Sequence, residues 1–120
     1  LLMDMKQIKV NRSGENKTFE LTREKVNKPT VDTKIFDEVG YIQVSEFNSN
    51  TDEEFYDAIR EHENCTGIII DLRNNGGGLL DTTVNMLNMI INEGVFITTR
   101  SNESEIIYSA SGKQICDKNI

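Results

Sequence analysis

Ile68-Ile69-Ile70-Asp71-Leu72-Arg73-Asn74-Asn75-Gly76-Gly77-Gly78-Leu79-Leu80 decides how the rest of the chain is read. From Gly67 to Leu72 the run is β-branched and apolar without alternation, which predicts a central strand buried on both faces, as in parallel sheets. Arg73 to Gly78 must then be a turn. From Leu79 to Asn92 apolar side chains return at helical spacing, and Gly94 is placed to end that helix. Strand, glycine turn and helix N-terminus together make an anion-binding arrangement. First-turn amides have no partner inside the helix and carry partial positive charge, and glycine lets a ligand oxygen reach the backbone. The anion could be a phosphate or the oxyanion of acyl transfer. Against phosphate, no Walker lysine-hydroxyl pair follows, and the three glycines are not spaced G-x-G-x-x-G. A plain tight turn would also account for the glycines alone.

Working outward, Val39 to Val44 reads as a short strand and Asn48-Ser49-Asn50 as its break. Thr51-Asp52-Glu53-Glu54 has the form of a capping box, with Thr51 on the amide of residue 54 and Glu54 reaching back to residue 51. Phe55, Ala58, Ile59 and His62 follow on one face, so residues 52–63 are expected to be an amphipathic helix. Upstream, residues 6–12 and 17–22 alternate around Ser13-Gly14-Glu15-Asn16, a β-hairpin pattern. Residues 23–38, with the single proline Pro29, read as a linker with a short extended piece at Pro29-Thr30-Val31. Downstream, strands are expected at 95–100 and 105–109. The alternation of strands and helices implies an α/β layer with crossover helices.

The 120 residues suffice for one compact domain. Twenty Asp and Glu against thirteen Lys and Arg give a formal charge of −7, and the basic residues are scattered among acids. That excludes the cationic patches needed for nucleic acid or anionic membrane surfaces. No stretch reaches the length of a membrane span. Leu1 to Lys6 has neither the basic region nor the long apolar region of a signal peptide, and both termini read as cut points in a longer protein. Cys65 and Cys116 have no metal spacing, and with the lone His62 they make no usual zinc pattern. They read as two ordinary thiols. His62 is expected to complement the dipole at the end of its helix, Met86 and Met89 to be core or flank of the second helix, and Asp71 to accept hydrogen bonds from turn amides. Arg73 could pair with Asp71 or Asp81, though a solvated or purely structural arginine is the simpler reading.

Asp71-Leu72-Arg73-Asn74-Asn75-Gly76-Gly77-Gly78-Leu79-Leu80 closely resembles the D-L-R-x-N-P-G-G-L-L signature of C-terminal processing (tail-specific) serine peptidases. Other segments fall in the family's order. Phe19 to Glu24 looks like the strand closing the PDZ domain and entering the protease core. Val31 lies at the family's P-x-V stretch, Val39 to Phe47 resembles its G-Y-I-x-I-x-x-F strand, and Thr51 to Ile59 its capped helix. The resemblance runs from about residue 8 to the end. It departs at Gly76, where the family usually has proline.

The resemblance implies a partial ClpP/crotonase-like α/β protease core at residues 31–120, the N-terminal part of the protease domain. Residues 1–30 are then a β-hairpin and linker from the PDZ-to-protease junction. It implies a Ser/Lys endopeptidase without metal or cofactor, cutting protein substrates near their C-termini outside the cytoplasm, in the periplasm or cell envelope, with homo-oligomerisation open. The backbone amides of Gly77 and Gly78 are the expected oxyanion-hole donors. The family's serine and lysine lie downstream of this sequence, so these 120 residues are expected to be inactive alone. Ser109-Ala110-Ser111-Gly112-Lys113 superficially looks like the serine motif, but it follows Gly94 too soon and Lys113 is too close to be the separately placed base. A non-catalytic crotonase-like peptide-binding module is the competing reading, and a nucleotide-binding α/β domain a weaker one.

Overall fold

A computed structural model describes residues 4–23 and 28–120. Among them are seven strands and two helices. Strands β1 (Asp4–Arg12) and β2 (Glu15–Arg23) form the expected antiparallel hairpin. Its two-residue turn has Ser13 at φ 57° and Gly14 at φ 81°, the paired left-handed geometry that matches strand twist. Ile8, Val10 and Phe19 remain exposed on it.

The stretch 23–38 is not a linker throughout. Residues 24–27 of it, and Leu1 to Met3 of the N-terminal reading, lie outside the described residues. Val31–Phe36 is a strand, β3, paired antiparallel with β4 (Val39–Val44) from Val31↔Val44 to Phe36↔Val39. Its alternation of Val31, Thr33 and Ile35 with Asp32 and Lys34 is a strand pattern that its polar content obscured. Asp37, at φ 52°, turns the chain, a conformation that aspartate tolerates better than most residues.

After β4 comes helix α1 (Thr51–Glu61), and then β5 (Gly67–Asp71), which lies parallel to β4 with Val39↔Gly67 through Gln43↔Asp71. This crossover is as expected. The capping box is not formed. Glu54 turns away from its own helix, and its Oε2 accepts from Thr30 N (2.8 Å), Val31 N (3.0 Å) and the Thr30 hydroxyl (3.1 Å). Thr51 Oγ1 instead takes the Asn48 amide at 2.9 Å and meets the Thr30 hydroxyl at 2.7 Å. A tertiary demand for acceptors at the start of β3 has overridden a local motif.

The sheet order is β3-β4-β5, so β4 is central and β5 is not, and β5 is also not buried on both faces. Ile68 is 2 % exposed in the core, whereas Ile69, on the opposite face, is 51 % exposed. An apolar run without alternation predicts cover on both faces, but among the described residues only the face carrying Ile68 and Ile70 joins the core. Beyond β5 there is a single parallel bridge, Gly67↔Asn119, with Ile68 N donating to Asn119 O at 2.9 Å.

Helix α2 (Leu80–Ile90) ends earlier than the sequence pattern suggests, and Gly94, at φ 99°, serves the turn into the next strand. The amides of Ile115 and Cys116 both donate to Met89 O and satisfy that helix end. Strands β6 (Val95–Arg100) and β7 (Glu105–Ser109) have the expected bounds but pair antiparallel in a separate two-stranded sheet. The crossover pattern therefore holds for β4-α1-β5 and stops there.

Ile42, Val44, Phe55, Ala58, Ile59, Ile68, Met86 and Cys116 form the core, with Met89 packed against it. Both cysteines are free and buried, so Cys116 belongs to the interior rather than to a polar tail. His62 is fully buried beyond the end of α1. Its Nδ1 lies 2.6 Å from Ala58 O in its own helix and its Nε2 3.1 Å from Lys34 O in β3. Space for the ring exists because position 40 is glycine: a Cβ there would lie 2.8 Å from His62 Cγ.

The two faces of β5 predict opposite outcomes for one substitution. Ile68→Asp buries an unpaired charge, at a cost of several kcal/mol, comparable to the whole stability of a small domain. Ile69→Asp changes an open face. Thermal denaturation by circular dichroism should show a cooperative transition for Ile69→Asp and none for Ile68→Asp.

Candidate functional site

β4 and β5 run parallel, so their C-terminal ends lie side by side, and the segments leaving them meet. Phe47, three residues past β4, forms a parallel bridge with Gly78. Phe47 N donates to Gly77 O at 3.0 Å, and Leu79 N donates to Phe47 O at 2.7 Å. The approach is so close that a Cβ on Gly78 would lie 2.7 Å from the Phe47 carbonyl carbon. Gly78 has φ 145° and Gly77 φ 102°, so both glycines are required by conformation.

The loop is also held from inside. Asn75 Oδ1 accepts the Gly77 amide at 2.7 Å, and Asn75 Nδ2 donates to Val44 O, the last residue of β4, at 2.9 Å. Gly78 N makes no hydrogen bond within the described residues. Leu79, the residue before α2, caps nothing with its side chain, so the first-turn amides of α2 are likewise not taken by a side-chain cap.

Asp71 at the end of β5 organises the entry to the loop. Its carboxylate accepts from the Arg73 amide (2.9 Å), from Arg73 Nε (3.0 Å to each oxygen) and from an Arg73 terminal nitrogen (2.7 Å). The Tyr41 hydroxyl of neighbouring β4 also donates to it. Asp71 accepts a turn amide as expected, and Arg73, for which a solvated or structural role is the simpler sequence reading, takes the other alternative and pairs with Asp71, not Asp81. The Arg73 guanidinium, and after it the Tyr41 hydroxyl, hold the Asp71 carboxyl below the usual carboxylate range. The same contacts raise the Arg73 guanidinium and the Tyr41 hydroxyl above theirs. The Arg73 side chain is 82 % exposed, so the pair sits at the surface with its carboxylate sheltered.

Ser109 and Ser111 are not brought to this loop. Ser111 N donates to Asn88 Oδ1 near the C-terminal end of α2, and Ala110 N to Gly94 O. Gly78 lies beyond the other end of that helix, roughly 15 Å away at about 1.5 Å per residue. Among the described residues no three His, Cys, Asp or Glu side chains converge as a metal site requires. An apolar cavity of about 230 Å³ has Phe47 and Leu72, on either side of the loop, in its wall with Met86 and Ile90.

The sequence model of peptidase family S41 matches residues 38–118, more than half of the chain. The chain belongs to peptidase family S41. A probable CtpA-like serine protease of Staphylococcus aureus (strain N315) is 40 % identical over 87 residues, covering 71 % of this chain and 18 % of that protein. The chloroplastic C-terminal processing peptidase of Tetradesmus obliquus is 35 % identical over 81 residues, covering 65 % of this chain and 18 % of its own length. Among solved structures, the photosystem II D1 C-terminal processing protease superposes with a TM-score of 0.68 at 26 % identity, over 97 % of this chain and 35 % of that one. A putative S41 protease from Bacteroides fragilis shares the fold, with a TM-score of 0.56 at 15 % identity, over 93 % of this chain and 38 % of that one. This S41 chain thus spans about a fifth of the length of the curated relatives it matches, and the resemblance to C-terminal processing peptidases stands.

Three contributors to the site fall inside the quoted family motifs but have no assigned role in the sequence reading. Asn75 carried a faint signal, since asparagine two residues before a backbone donor is a turn-forming arrangement. Phe47 acts through its main chain, which no side-chain pattern reports. Tyr41 reaches Asp71 across two strands whose register only the fold reveals.

A carboxyl held below its ordinary range contributes stability that is present above the unfolded value, 3.8, and is lost as pH falls through the lower folded value. Asp71→Asn should therefore melt below the wild type at pH 6, and the two melting temperatures should converge as pH is lowered toward about 2. A gap that stays constant over that range would assign the loss to packing rather than to charge.

Proposed function

We propose that this chain supplies the oxyanion-binding glycine loop of a Ser/Lys endopeptidase that cleaves protein substrates near their C-termini. The nucleophile and base come from sequence beyond these 120 residues. The observation that carries the reading is the Gly78 amide, a backbone donor with no partner among the described residues, beside the first turn of α2. Of the two expected donors, Gly77 and Gly78, Gly78 is the one free to act, since the Gly77 amide is engaged by Asn75.

In acyl transfer the substrate carbonyl oxygen gains negative charge as the tetrahedral intermediate forms. A fixed N–H aimed at that position stabilises the transition state more than the ground state. The helix N-terminus adds a field of the same sign. The apolar cavity walled by Phe47 and Leu72 favours a polypeptide with an apolar side chain over a phosphate ligand. In this proposal residues 31–120 are the N-terminal part of a ClpP/crotonase-like protease domain. The β1-β2 hairpin belongs to the junction with a PDZ domain, and the whole protein works outside the cytoplasm.

A side chain at Gly78 would collide with the Phe47 backbone, so ordinary substitution there confuses donor loss with misfolding. An amide-to-ester replacement at Gly78, made in an active full-length protein carrying this sequence, removes the N–H without adding a Cβ; it leaves the Leu79 N to Phe47 O bond untouched and only weakens Gly77 O as the acceptor for Phe47 N. Turnover should fall by about a hundredfold to a thousandfold, with KM moved much less. Unchanged turnover would leave the loop as a turn only. The 120-residue chain alone should not cleave an unfolded protein. Cleavage abolished by Ser111→Ala would move the nucleophile into this chain.

A further inference from the structure

Whether a free N–H can serve as a donor depends on what fixes its direction. A trans peptide is planar, so its C=O and N–H point in opposite directions. In the Gly77–Gly78 peptide, Gly77 O is held by Phe47 N at 3.0 Å, which turns the Gly78 N–H to the far side. The next peptide, Gly78–Leu79, is held through Leu79 N on Phe47 O. The preceding peptide, Gly76–Gly77, has no such backbone partner among the described residues. Its N–H goes to the Asn75 side chain at 2.7 Å.

Glycine makes this dependence acute. Around Gly76 and Gly77 a Cβ would meet nothing within 4 Å, and glycine has no steric preference for one sign of φ. Without Asn75, the plane before Gly77 is free to rotate about its two flanking glycine α-carbons. The anchor matters as much as the acceptor: Asn75 Nδ2 donates to Val44 O, so the side chain ties the loop to the last residue of β4. One amide side chain, with both its donor and its acceptor used, connects the sheet to the loop.

We infer that Asn75 is the positioning residue of the glycine loop. By accepting the Gly77 N–H and donating to Val44 O, it leaves Gly78 as the one outward-facing donor of the Gly77-Gly78 pair and holds it against the end of β4. This rests on the oxyanion reading for what the Gly78 donor serves, but not for how the donor is held.

Solvent-exchange NMR on the chain itself tests the positioning directly. In the wild type the Gly77 amide should exchange at least about fivefold more slowly than that of Gly78, the effect of one net hydrogen bond. Asn75→Ala should remove that difference by accelerating Gly77. Asn75→Asp, which keeps the acceptor and loses the donor to Val44, should keep Gly77 protected. In an active full-length protein Asn75→Ala should lower kcat by about tenfold to a hundredfold, the penalty of a misplaced catalytic group, with KM within about twofold. Equal exchange at Gly77 and Gly78 in the wild type, Gly77 exchange unmoved by Asn75→Ala, or an unchanged kcat in that variant would each overturn the inference. Failure of the oxyanion reading shows up separately, as an ester at Gly78 that leaves turnover intact while Gly77 still responds to Asn75.

Discussion

The contact between the backbones of Phe47 and Gly78 constrains everything around the site. Two main chains at that distance leave no room for a Cβ, and the two hydrogen bonds flanking it fix the directions of successive peptide planes. The contact carries the parallel alignment of β4 and β5 past the ends of both strands. It also sets where α2 begins, because Leu79, bonded to Phe47 O, is the residue from which the helix starts. A shift of this bridge would move the loop, the helix N-terminus and the apolar cavity together.

Around that bridge, polar side chains are used to tie elements rather than to cap them locally. Glu54 abandons its own helix to receive the first amides of β3. Asn75 spans from the loop to β4, and His62 from α1 to β3. Asp71 joins β5 to Tyr41 of β4 and to the turn that follows. Where they reach Thr30, Val44, His62 and Asp71, these ties satisfy groups on buried residues, whose omission would cost more than a typical hydrogen bond contributes. A domain with a small apolar core thereby gains a defined arrangement of its strand ends, where the loop sits.

Local patterns in the sequence reported local structure well. The hairpin turn, both helices and the strands at 39–44, 95–100 and 105–109 follow from periodicity and breakers, because those signals act within a few residues. What failed were inferences about neighbours. Ile68-Ile69-Ile70 does encode a strand with two apolar faces, but which face is covered depends on elements distant in the chain. The Thr51-to-Glu54 spacing encodes a cap only while Glu54 has nothing better to bind, and Thr30 and Val31 offer three donors. β6 and β7 were placed correctly as strands, while their pairing with each other rather than with β5 was a question of topology that no strand pattern answers.

Gly76, Gly77 and Gly78 show the same limit at the scale of single residues. In the sequence they are three identical letters, consistent equally with a turn and with an anion site. In the fold they answer to three different requirements. Gly78 needs both its φ of 145° and the missing Cβ, because Phe47 occupies that space. Gly77 needs its φ of 102° but has open space around it. Gly76 has neither a left-handed φ nor a close neighbour, and its amide makes no hydrogen bond within the described residues. The family's usual proline, which lacks an N–H, therefore falls at a position where neither the lost donor nor a Cβ meets an obstacle. Glycine at that position adds conformational freedom to the unfolded chain and places a flexible residue beside the peptide plane that Asn75 holds. The asparagine of the signature is kept in this chain as Asn75 while the ring is lost, so the loop is fixed here by the hydrogen-bonded side chain without the proline beside it.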